Sequence, residues 1–79
     1  MIRTDEIKAM IQKKIPGSEV VVSDLTGAGD HFEIRVVSDG FEGKPLIEQH
    51  RMVFAALENE MDRRIHAVQL KTLFRSSKG

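Results

Sequence analysis

The stretch HFEIRVVS, residues 31–38, alternates strictly: Phe32, Ile34 and Val36 fall on one side, His31, Glu33 and Arg35 on the other. A period of two marks an extended strand with one face buried and the other in water. Such a strand is not stable alone. It needs neighbouring strands beside it and apolar helix faces laid over one side of the resulting sheet. With 79 residues there is room for one domain with a thin core, which favours a binding module over an enzyme with a deep cavity.

The remaining elements fit that requirement. Thr4 precedes DEIKAMIQKKI, with acids in the first turn and lysines in the last, as an N-cap and a helix dipole prefer. Ile7, Met10, Ile11 and Ile15 share one face of this predicted helix, and Pro16-Gly17 ends it. SEVVVSDL reads as a first strand, joined to HFEIRVVS through the flexible loop TGAGD, a gap compatible with an antiparallel hairpin. After Asp39-Gly40 comes an irregular bend over 41–44, with an extra helical turn expected either around Phe41 or after Met61, and Pro45 stands at a preferred first helical position. LIEQHRMVFAALENEM places Leu46, His50, Val53, Phe54, Leu57 and Met61 on one stripe; DRRIHAVQLKTLF gives a last strand with His66, Val68 and Leu70 on one face. The order is α-β-β-α-β. A helix crossover precedes the last strand, so it can join the hairpin in parallel.

Composition removes several classes of function. Twelve basic and twelve acidic side chains balance, without the basic footprint of a typical nucleic-acid binder. There is no cysteine, hence neither a disulfide framework nor an all-protein thiolate metal site. No apolar run approaches the roughly 20 residues that cross a bilayer, and MIRTDEIKAM carries acids where a signal peptide needs an apolar stretch. The expected location is the cytoplasm.

The chemistry rests on three histidines. His50 lies on the apolar stripe, with Leu46 and Phe54 at i±4, where a second ligand would have to be; it reads as a half-buried packing residue that caps a polar partner. His66 stands at the rim where the last strand begins, after Arg63-Arg64, and by its position alone reads as an ordinary surface histidine; His31 opens the second strand after the glycine loop and by itself is a weak signal. Two neutral imidazoles serve one metal only if the fold joins those strands, which their spacing does not determine. GFEG, residues 40–43, matches the G-x-x-G of KH RNA-binding modules, but its glutamate repels phosphate, and glycines permitting a tight turn are the simpler reading. The serines have no nucleophile-elbow context, ENEMD reads as a solvated acidic face, and TGAGD lacks the lysine and following helix of a phosphate-binding loop. Catalysis is not indicated.

HFEIRVVSDGFEGKPLIEQHRMVFAALENEM followed by IHAVQLKT resembles the BolA family. The matching pieces are the strand ending in Val-Val-Ser, the FEGKPL bend, the QHR helix and IHA opening the last strand, and they cover nearly the whole chain from the first helix to Thr72. The resemblance implies an α+β fold: a class II KH-like αββαβ domain, three-stranded and mixed, with helices packed on one face. That domain would fill 1–79, with an ordered core over about 4–73 and a fraying polar tail from 74 to 79. It further implies a non-enzymatic partner of a monothiol glutaredoxin that shares a [2Fe-2S] cluster with it, in iron–sulfur trafficking, iron sensing or stress response. The glutaredoxin cysteine and glutathione would supply thiolates. His66, at the start of the last strand, corresponds to the ligand on the BolA side; a second comes from the loop before the second strand, where members carry cysteine or histidine, which here designates His31. Imidazole in place of thiolate on one iron raises a cluster's potential and makes binding pH-dependent.

No cluster is expected on the isolated chain, which would be a monomer or weak homodimer. Phe41, Gly43, Lys44, Arg51 and Arg64 are the expected partner-facing residues. The alternative is a KH-like nucleic-acid-binding transcriptional regulator, using Lys44, Arg51, Arg63 and Arg64, and neutral net charge predicts at most weak binding.

Overall fold

The computed structural model describes residues 2–61 and 63–75. Helix α1 spans Thr4–Lys14, strands β1 and β2 span Glu19–Asp24 and His31–Ser38, and a 3-10 turn follows at Asp39–Phe41. Helix α2 is Leu46–Leu57 and strand β3 is Ala67–Phe74. The fold is α+β in the order α-β-β-α-β, with a mixed sheet of strand order β1-β2-β3. β1 pairs with β2 antiparallel, Val21 opposite Arg35, and β2 pairs with β3 parallel, Arg35 opposite Lys71.

The alternation along β2 sorts its side chains as expected. Phe32, Ile34 and Val36 are fully buried, while Glu33 and Arg35 are exposed. Ile7 and Ile11 of α1 and Val53 and Leu57 of α2 cover the inner face, with Ile2, Ile15, Phe41 and Ile65 closing its margins. Each such side chain contributes about 1.5–3 kcal/mol by leaving water. The outer face carries Glu19, Val21, Glu33, Arg35, Gln69 and Lys71, all exposed.

Helix boundaries differ from expectation. Arg3, not Thr4, is the N-cap of α1, and Glu6 Oε1 reaches back to accept the Arg3 N–H at 3.2 Å. Pro45 is the N-cap of α2, its carbonyl accepting from Glu48 and Gln49. The apolar stripe was expected to run to Met61, but α2 ends at Leu57, and the chain leaves it through a turn in which the Leu57 carbonyl accepts from Glu60 and Met61. The Glu60 carbonyl then accepts from Arg63, Arg64 and Ile65. This tight reversal delays β3 to Ala67, so His66 lies just ahead of the strand, exposed where Val68 and Leu70 are half-buried. Leu46, at the other end of the stripe, is 60% exposed. β3 continues through Phe74, and Arg75 pairs with Glu19. The rest of the expected tail, 76–79, and Asp62 of the ENEMD run lie outside the described residues.

Candidate metal-ligand pair

The loop between β1 and β2 was expected to be flexible, but it is organised by its own side chains. Asp24 accepts backbone N–H groups on both carboxylate oxygens: Thr26 at 3.2 Å and Gly27 at 2.9 Å on Oδ1, Gly29 at 2.9 Å on Oδ2. Gly29 adopts φ 76°, open to glycine and strained for most other residues. The Thr26 hydroxyl accepts from Ala28 at 3.1 Å and donates to Asp30 Oδ1 at 3.1 Å. The chain thus reaches β2 with residue 30 fixed on both sides.

Asp30 connects the loop to both histidines of the expected site. Its Oδ1 is 2.9 Å from His31 Nδ1, and its carbonyl oxygen accepts the N–H of His66 at 2.8 Å and of Ala67 at 3.2 Å. The parallel register then sets His31 opposite Ala67. The imidazole centroids of His31 and His66 are 6.3 Å apart, with the rings tilted by 47°. His31 is half-buried and His66 exposed. The hydrogen bond with His31, joined by that from Thr26 and the nearby imidazoles, lowers the Asp30 pKa from its ordinary value against an opposing desolvation. Asp30 is therefore a carboxylate at neutral pH, an acceptor only. Neither Asp24, Thr26 nor Asp30 was singled out from the sequence as part of a site. The signal was present in DLTGAGD, an Asp and a Thr followed by glycines, the composition of Asx and Ser/Thr turns.

The donor set determines what this pair can hold. Among the described residues no group of three or more His, Cys, Asp or Glu side chains is placed to bind a metal ion, and the chain lacks cysteine. Two imidazoles sharing a tetrahedral ion, with metal–nitrogen bonds of about 2.0–2.1 Å, bring their centroids to roughly 5 Å. That is about an ångström closer than here, within reach of side-chain rotation. The pair suits half of a site: a cluster iron carrying two histidines, with thiolates from elsewhere on the other.

The other expected site residues are not gathered in one place. Phe41 was expected to face a partner, but it is 1% exposed; the 3-10 turn after β2 rolls its ring into the core, where it is unavailable for docking. Beside it Gly43 and Lys44 are exposed, Gly43 at φ 72° in the turn that reads GFEG. Arg51 pairs with Glu48 at 3.1 Å. Arg64 is held by Glu60 at 2.7 Å and approaches Glu6 at 3.7 Å; the Glu60 hydrogen bond raises its pKa and lowers that of Glu60. Lys44 and the Arg63-Arg64 pair flank opposite ends of α2, a helix of 12 residues and thus about 18 Å long, so the expected nucleic-acid set does not form one patch. His50 is half-buried; the polar tie on this helix is made instead by Gln49, whose Oε1 accepts the Thr72 hydroxyl at 2.7 Å.

Fold and site together define a small α+β module that displays two imidazoles at one end of a parallel strand pair. A family model described as BolA-like protein matches residues 7–76, and the chain belongs to the BolA family. It is 44% identical over 72 residues to Protein BOLA2 of Arabidopsis thaliana, covering 90% of this chain and 76% of that one. The solved structure of BolA1 from the same plant superposes with a TM-score of 0.84 at 30% identity, covering 98% of this chain and 96% of that one. The DNA-binding transcriptional regulator BolA of Escherichia coli is 37% identical over 46 residues, which cover 58% of this chain and 44% of that protein.

Proposed function

We propose that this chain is a non-enzymatic adaptor that binds a monothiol glutaredoxin and contributes His66 and His31 to a [2Fe-2S] cluster shared with that partner's cysteine and glutathione, for iron–sulfur trafficking or iron-dependent regulation. The observation that carries the reading is the 6.3 Å approach of two imidazoles on a chain with no thiolate of its own.

His66 is the more accessible ring and the principal donor. His31 is the second, its orientation held by Asp30. When bound, the cluster supplies an electron-transfer centre whose potential lies above that of an all-thiolate one. Gly43, Lys44 and Arg51, all exposed, and the half-buried Arg64 are the docking residues of this reading.

The test mixes the protein with a monothiol glutaredoxin, glutathione and iron–sulfur components, then records visible absorption and circular dichroism. His66→Ala is expected to abolish or strongly alter the spectrum of the mixed complex. His31→Ala is expected to change cluster stability more than occupancy. A His66→Ala complex indistinguishable from wild type would remove the ligand assignment. The nucleic-acid reading draws on the name of the Escherichia coli relative; against it stand the pairing of Arg51 and Arg64 with carboxylates and the separation of the four cations along α2.

A further inference from the structure

The two polar ends of Asp30 act on different histidines. Its backbone carbonyl holds the N–H of His66 at 2.8 Å, which fixes where that residue leaves the turn. Its carboxylate, held by the Thr26 hydroxyl at 3.1 Å, lies 2.9 Å from His31 Nδ1. A carboxylate oxygen has no hydrogen to give, so the proton of this bond sits on Nδ1. Nε2 is then the nitrogen with the free lone pair. Histidines that ligate metals commonly donate their other ring N–H to a carboxylate, which fixes both tautomer and ring plane.

We propose that Asp30 is the positioning residue of the histidine pair: its carboxylate keeps His31 in the Nδ1–H tautomer with Nε2 bare for ligation, while its carbonyl sets the backbone of His66 beside it. The inference rests on the reading of both imidazoles as ligands. The two functions separate experimentally, because a side-chain substitution leaves the carbonyl in place. An unconstrained neutral imidazole in water favours the opposite tautomer, Nε2–H, which has its proton on the nitrogen needed for the metal. Loss of the carboxylate therefore turns His31 into a ligand that must first shift its proton.

The first experiment uses the free chain, with no cluster. Nitrogen-15 NMR of the imidazoles, at a pH where both are neutral, is expected to report Nδ1–H for His31 in the wild type, a majority of Nε2–H in Asp30→Ala, and a return to Nδ1–H in Asp30→Asn, whose amide oxygen still accepts. The Asp30 side chain is 33% exposed and outside the core, so the amide spectrum of the inner sheet residues is expected to stay unchanged. A role confined to stapling the loop would move loop amides and leave the tautomer alone; the same His31 tautomer in wild type and Asp30→Ala overturns the proposal. The second experiment follows cluster loss from the mixed glutaredoxin complex. Asp30→Ala is expected to lose it on the order of 10-fold faster, the usual scale for removing such a supporting partner, with Asp30→Asn close to wild type. Equal loss rates in wild type and Asp30→Ala also overturn it. Failure of the ligand reading shows differently, as a His66→Ala complex with an unchanged cluster.

Discussion

The backbone N–H of His66 donates to the carbonyl oxygen of Asp30 at 2.8 Å, and this bond joins the end of one loop to the end of another. The parallel ladder begins immediately beyond it, with His31 opposite Ala67. Parallel strands start at the same end of a sheet, and the helix crossover that separates them in sequence is packed against its face. Two distant histidines become neighbours through main-chain geometry, with no attraction between their rings required.

Asp24 is the staple of the loop that leads to this point. Asp24→Ala removes an acceptor for three backbone N–H groups and is expected to destabilise the protein by about 1–2 kcal/mol. Amide exchange should accelerate over 26–30 while the inner residues of β2 stay protected. Chemical denaturation together with residue-resolved exchange measures both; an unchanged midpoint would show that solvent replaces these bonds without loss.

Phe41 and His50 are expected to differ sharply. Phe41→Ala empties a fully buried ring site and should cost about 3–5 kcal/mol, a large part of the whole stability of a domain this small. The half-buried His50 should cost no more than about 1 kcal/mol when changed to alanine. Thermal unfolding of both variants checks the order, and a larger loss for His50→Ala would contradict their difference in burial.

Acid should loosen the histidine loop before it unfolds the core. The Asp30 pKa is lowered, first by its hydrogen bond with His31. A carboxylate with a folded-state value below its unfolded one contributes stability that is fully present above the unfolded value, near 3.9, and is lost as pH falls through the folded one. The Thr26 and Asp30 contacts should therefore persist unchanged from neutrality down to about pH 5 and weaken below about pH 4. The carbon-13 shift of the Asp30 side-chain carboxyl, which accepts from the Thr26 hydroxyl and lies against His31 Nδ1, reads this directly when followed against pH.

Nucleic acid should bind weakly and with little salt dependence. Two of the four expected cations are tied to carboxylates and the other two flank opposite ends of α2. One or two phosphate contacts give a slope of log K against log salt of about −1 to −2. Fluorescence anisotropy of a labelled duplex over a salt series measures it. A slope near −4, with sequence preference kept at physiological salt, would instead favour the regulator reading.

The sequence by itself determined the strands and their faces, because alternation and apolar periodicity are local and read the same in any context. HFEIRVVS could be buried on only one side, and Phe32, Ile34 and Val36 are buried there. Sequence also supplied the identities of His31 and His66, through residues that resemble a family. What it did not hold was any relation between them. That required β3 to join β2 in parallel, and it required the Glu60 carbonyl to gather the turn before β3 so that His66 emerges at the carbonyl of Asp30. The same is true of Phe41, expected to face a partner in the bend over 41–44, whose ring the 3-10 turn carries into the core. Such outcomes depend on register and on where a short turn aims a side chain. Both are set by long-range packing and by hydrogen bonds between segments, so tertiary structure alone decided them.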